Sequence, residues 1–215
     1  MERRAIRRSG DDEGGSEALW DQAAGVARLA TGGGRSEGCV ADLYNLSVPV
    51  LIRYLGRLDG MLGCLSAYAA DQGRDEATFL VLSLSDGMFD LRRQVLIAAD
   101  FTVRSLRPIA PALEALPSAE ATSVAELRLR IAERIAALSA LRPEDINGKE
   151  SSLVCERAGE ARFESDAMTF VTQYALPNFF FHLVTAFAIL RMAGVPLGKA
   201  DFDGFHSYPP DFRFI

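Results

Sequence analysis

Asn178 and His182 stand four residues apart in the stretch YALPNFFFHLVTAFAIL, and on an α-helix that spacing places both polar groups on one face. Thr185 continues the same face. His182 is the only side chain between Ala167 and Leu190 that ionises near neutral pH, because this run of 24 residues holds no Asp, Glu, Lys or Arg. A histidine in such surroundings is the natural proton acceptor at physiological pH, so His182 is the candidate catalytic base. Two polar groups on a rigid helix directed into an apolar core could also hold a small ligand. The competing reading is structural. A buried His and Asn would satisfy each other and the Gln173 carbonyl, which Pro177 deprives of an amide partner.

A second element must face this helix. In SDGMFDLRRQVLIAADFTVRSLRP, Asp90, Gln94, Ile97 and Phe101 share a stripe, and Gln94 sits beside the apolar run from Val95 to Ala99. Gln94 is therefore expected to point inward, with Asp90 one turn before it. The pocket set is Gln94, Asn178, His182, Thr185 and Asp90. Arg92 and Arg93 face away, and Asp100 is expected to pair with Arg104 on the surface.

The remaining chain supplies the walls. Leu51, Tyr54, Leu55, Leu58, Leu62, Leu65 and Tyr68 recur at helical steps, with Ser47 available as a cap, Pro49 in the first turn and Gly73 at the end. A short helix or turn is expected over 75–84, and a helix over 88–106 ended by Pro108 and Pro111. Another runs over 124–141, with Ser123 and Glu126 as a capping box and Glu126–Arg130 as an i,i+4 pair. SSLVCERAGEARFES reads as a short β-hairpin or as loop. Asp166 caps the apolar helix, Pro177 kinks it and Gly194 ends it. The tail after Pro196 reads as loop, with Phe202, Phe205 and Phe212 packing back and His206 exposed. Four amphipathic helices of this length specify an all-α four-helix bundle with a hairpin or loop excursion before the last helix.

The apolar helix is long enough to span a bilayer. Its Gln, Asn, His and Pro residues, and the need of three amphipathic partners for a common core, favour a buried bundle helix instead. The net charge of −6 argues against a nucleic-acid partner. Cys39, Cys64 and Cys155 form no Cys-x-x-Cys pair and fit reduced thiols in a cytoplasmic protein, with Cys64 in the core. Residues 1–38 are Arg-rich, then acidic and Gly-rich, and read as a flexible appendage without a secretory h-region; residues 39–215 form the bundle domain.

Three blocks, DLYNLSVPVLIRYLGRLDGML, SDGMFDLRRQVLIAADF and LPNFFFHLVTAFAILRMAGVPLGKADF, closely resemble the domain-of-unknown-function family numbered nineteen ninety-three, over about Asp42 to Phe202. That family is similar to the DinB/YfiT-like superfamily of four-helix bundles, many of them metalloenzymes. In metal-binding members one His comes from the second helix and two, spaced i,i+4, from the last. Transferred here, the resemblance implies Gln94, Asn178 and His182 at the three ligand positions, so only His182 is retained. Two amides and one imidazole are a poor set for zinc or nickel, which prefer several imidazole or thiolate donors. The reading favoured is a degraded metal site serving as a polar pocket for an unknown small molecule. One alternative is a non-enzymatic homodimer or partner-binding bundle, since the resemblance implies dimerisation. Another is a metal-dependent enzyme in which an Asp or His206 completes the ligand set.

Overall fold

The structure, a computed structural model, describes residues 42–111, 113, 120–207 and 209. The appendage expected over residues 1–38 lies outside these, as do Cys39 and Phe212.

Helix α1 spans Leu43–Asp71. It begins four residues before Ser47, because the Asp42 carboxylate accepts the amides of Tyr44 at 3.0 Å and Asn45 at 3.4 Å. Ser47 is not the cap; its hydroxyl donates to the Leu43 carbonyl at 2.6 Å, and Pro49 lies inside the helix. Burial of Leu43 and Val48 holds the extra turn against the amide that Pro49 lacks. After the short α2, Ala77–Leu80, comes α3, Leu91–Leu106. Helix α4, Val124–Ser139, carries the expected capping box. The Glu126 carboxylate is turned to that box, accepting the Thr122 and Ser123 amides at 2.6 and 3.2 Å, while Arg130 reaches across to Asp100. Pro143 follows the end of α4 and opens a further short helix, α5, Pro143–Ile146.

Strands β1, Leu153–Ala158, and β2, Ala161–Asp166, pair antiparallel with Leu153 opposite Asp166. Gly159 makes the tight turn in the left-handed region, at φ +61°. Asp166 then caps the last helical run, its carboxylate accepting the Thr169 amide at 2.8 Å. That run is not one α-helix. It comprises α6, Ala167–Thr169, a π-helical segment, Phe170–Ala175, and α7, Leu176–Met192. The disturbance expected at Pro177 takes the form of this π segment. A five-residue register lets a carbonyl reach past the amide that proline lacks, so the chain widens for one turn before Pro177. Gly194 closes the run at φ +93°, where a Cβ would stand 2.7 Å from the Tyr68 hydroxyl.

The tail departs from the loop expectation by forming α8, Lys199–Asp203. The Asp201 carboxylate accepts the Gly198 amide at 2.6 Å, and Gly204 ends the helix at φ +68° with the Arg57 guanidinium directly beneath it. Phe202 packs on Tyr54 and Phe187. Phe205 does not pack into the bundle; it is 73% exposed, with the Arg53 guanidinium 3.6 Å above its ring.

The four long helices surround one core, with α4 between α1 and α3, and α7 closing the ring against α3 and α1. Leu51, Leu55, Leu58 and Leu62 of α1 meet Val95 and Ala99 of α3, Leu127 and Ile131 of α4, and Phe179, Leu183 and Ile189 of α7 in that core. Each such side chain stabilises the fold by about 1.5–3 kcal/mol through burial. One run among the described residues, Ala167–Met192, is long and apolar enough to cross a membrane by length and composition alone. It forms the wall against which α3 packs.

Candidate functional site

The α3–α7 seam brings Gln94 and His182 together. Val95, Ala98 and Ala99 of α3 and Leu183, Ala186 and Leu190 of α7 are fully buried, and their small and branched side chains let the two helices lie close. Gln94 is 1% exposed, as the stripe on α3 predicts. A buried amide must be satisfied at both ends. Its Nε2 donates to the Phe89 carbonyl at 3.3 Å, and its Oε1 lies 2.7 Å from His182 Nδ1. The half-buried imidazole has Phe181 edge-on at 5.2 Å and Phe101 at 6.3 Å, centroid to centroid. Burial pushes the His182 pKa down, since a low-dielectric setting disfavours imidazolium and no ion pair to His182 is recorded among the described residues. His182 is therefore neutral at pH 7.

The other expected residues spend their polar atoms on backbone. Asn178 Nδ2 donates to the Tyr174 carbonyl at 2.7 Å. This repairs the helix where the π register changes, so Asn178 serves the freed-carbonyl role foreseen in the structural reading, though on Tyr174 and not Gln173. Thr185 Oγ1 donates to the Phe181 carbonyl at 2.7 Å. Asp90 is the N-cap of α3, its carboxylate accepting the Arg93 amide at 2.8 Å. The geometry thus joins Gln94 to His182 directly and places Asn178 one turn away on its own backbone.

Asp100 does not make the expected surface pair with Arg104. Its carboxylate receives Arg134 at 2.7 Å and Arg130 at 3.2 Å, both guanidiniums buried between α3 and α4. Arg104 instead reaches Glu156 on β1 at 2.8 Å and lies over the Phe101 ring at 5.0 Å. The sequence pairs Arg130 with Glu126 along α4; the α3–α4 packing instead buries Arg130, together with Arg134, beside Asp100. A groove of about 360 Å³ runs along this part of α3, lined by Arg93, Asp100, Phe101, Arg104 and Glu120. Phe101 belongs to the groove wall and to the His182 surround alike. His206, expected as exposed tail, pairs through Nδ1 with the Asp203 carboxylate at 2.5 Å. Cys64 is half-buried against the core, and burial raises its thiol pKa.

The donors around His182 do not suit zinc or nickel. Gln94 Oε1 is bound to the imidazole itself, and Asn178 could add only a weak amide oxygen to one imidazole nitrogen, short of the three protein ligands that a closed or open site needs. Among the described residues no group of three or more His, Cys, Asp or Glu side chains is placed to share a metal ion.

A family model for a domain of unknown function, DUF1993, matches residues 43–203. The chain is similar to a DinB family member of Shewanella denitrificans whose crystal structure is solved. The two share 30% identity and superpose with a TM-score of 0.70, covering 78% of this chain and 94% of that one. No curated protein matches the chain.

Proposed function

The chain belongs to the DUF1993 family, with a DinB-type helical bundle, and from that premise we propose that it binds a small organic molecule at His182 on the α3–α7 seam. The observation that carries this reading is the one-sided bonding of the imidazole. His182 Nδ1 is bound to Gln94, whereas Nε2 has no hydrogen-bond partner among the described residues and is not sealed from solvent. A polar nitrogen framed by Phe101 and Phe181 is the composition of a small-molecule site: apolar walls with one oriented polar group. The same nitrogen would act as the base if the ligand is a substrate. The test is a thermal-shift screen of metabolites on wild type and His182→Phe. Compounds that raise Tm in wild type alone support the reading; a full screen in which every stabiliser acts equally on both proteins rejects it.

A second reading rests on α7. Phe181, Val184 and Met192 are 57%, 47% and 53% exposed along one helix that carries no charge before Arg191. An uncharged apolar face offers no complement to a charged partner and matches itself, which favours a homodimer through α7. Light scattering from micromolar to tens of micromolar protein, with Phe181→Glu as control, separates the two: a monomer throughout rejects the dimer and leaves the ligand site untouched.

A further inference from the structure

Resting on the His182 reading above, we infer that Gln94 locks the His182 imidazole in its Nδ1–H form through the Phe89 carbonyl, so that Nε2 accepts a hydrogen bond from a ligand with an apolar body and an O–H donor. A carbonyl oxygen can only accept, so the Gln94 group 3.3 Å from the Phe89 oxygen is the amide NH2. The other end of the amide is then the oxygen, which also only accepts. The His182 nitrogen 2.7 Å from it must be the donor, Nδ1–H. A neutral imidazole carries one proton, so Nε2 holds the lone pair.

Three features make the lock firm. Gln94 is 1% exposed, so water does not compete for either end of its amide. The Phe89 carbonyl is held just ahead of the first turn of α3, which Asp90 caps. The imidazole itself is kept neutral by burial, which preserves an acceptor at Nε2 down to lower pH than a free histidine would allow. An accepting nitrogen selects its ligand by chemistry. A carboxylate, which offers only acceptors at pH 7, meets a lone pair and is repelled; a hydroxyl is received. The rings of Phe101 and Phe181 beside the imidazole select an apolar, and preferably aromatic, body. The class is a phenol-like or alcohol-bearing molecule, and Gln94 is a positioning residue, not one that touches the ligand.

The chain has two histidines, so the experiment is simple to read. Long-range ¹⁵N–¹H spectra of imidazole-labelled protein report each ring's tautomer without any ligand. Wild type is expected to show His182 as Nδ1–H, Gln94→Leu to shift it toward the Nε2–H form that free histidine prefers, and Gln94→Glu, whose carboxylate still accepts from Nδ1, to keep a proton on Nδ1. Phenol is then titrated against anisole, which has the same ring and no donor. Phenol should move the Nε2 resonance saturably and anisole should not, with phenol binding about tenfold weaker in Gln94→Leu, the effect of one lost hydrogen bond. A wild-type His182 in the Nε2–H form, or a Gln94→Leu protein that keeps Nδ1–H, overturns the lock while the ligand reading stands. Equal responses to phenol and anisole, or none to either, overturn the donor-ligand class. Gln94→Glu, nearly isosteric, keeps the comparison readable if the leucine variant does not fold.

Discussion

Helix α3 carries two polar clusters, one turned to α7 and one to α4, and they are built on opposite principles. Gln94 meets His182 as neutral against neutral, with every polar atom assigned except Nε2. Asp100 meets Arg130 and Arg134 as an ionic network sunk between two helices. The ionic cluster holds charges in place of water, so its worth lies in the damage done when one member is removed. The neutral cluster is cheaper to bury and leaves a directed lone pair, which is what a binding site needs. Position on the same helix therefore says little about role; the number of charges and the atoms left over say more.

Breaking the ionic side should have the largest effect. Asp100→Ala removes the carboxylate that two buried guanidiniums share and is expected to destabilise the fold by about 3–5 kcal/mol, read as a lower urea midpoint at constant m. Breaking the neutral side should cost less. Gln94→Leu removes two hydrogen bonds but fills the same space with an apolar group, so a loss of about 1–3 kcal/mol is expected, from an unpartnered His182 Nδ1 and the Phe89 carbonyl. If Gln94→Leu proves as damaging as Asp100→Ala, the contrast between the clusters fails. Asn178→Ala should cost about 1 kcal/mol, one side-chain bond to the Tyr174 carbonyl, and should leave the His182 tautomer unchanged by NMR.

The smallest effect is a pH slope. Folded His182 holds a proton less readily than the unfolded chain, whose imidazole titrates near about 6.5. As pH falls below that value the unfolded chain takes up more protons, so stability falls with pH until the folded group also titrates, and His182 contributes no further loss below that point. The difference in urea midpoint between wild type and His182→Phe should therefore change between pH 7 and pH 5, with wild type losing more. Equal slopes would mean that burial does not depress the His182 pKa. Gln94→Glu should flatten the wild-type slope, because a carboxylate on Nδ1 favours imidazolium.

The bundle was legible because its signals are local and repeated. Leucines at three- and four-residue steps, the Ser123–Glu126 box, Asp166 before an uncharged run and Gly194 after it each mark an element by themselves. Where two local signals competed, the reading slipped. Ser47 and Pro49 imitated a helix start, yet Asp42 offered a carboxylate to two amides and the chain gained Leu43 for the core. Helix α8 was hidden because it is five residues long and held by one side-chain cap and by Arg53 of α1, which donates to the Asp203 carbonyl from 150 positions away.

The site was half legible for the same reason. Spacing alone put Asn178, His182 and Thr185 on one face and turned Gln94 inward. It could not say which polar atoms would be consumed by backbone, since that depends on the π register before Pro177 and on the cap of α3. Nor could it find the partner of Asp100, because Arg104 four residues ahead satisfies the local rule, whereas Arg130 and Arg134 arrive from another helix.

By itself, then, the sequence determined the four long helices, the Ser123–Glu126 and Asp166 caps, and an uncharged final helix bearing one histidine, all consequences of residue type and period within a few turns. The tertiary structure decided that Gln94 meets His182, that Asn178 does not, and that two arginines share Asp100. These pairings join residues up to 88 positions apart, and only the packing of α3 against α7 and α4 brings their atoms within hydrogen-bond reach.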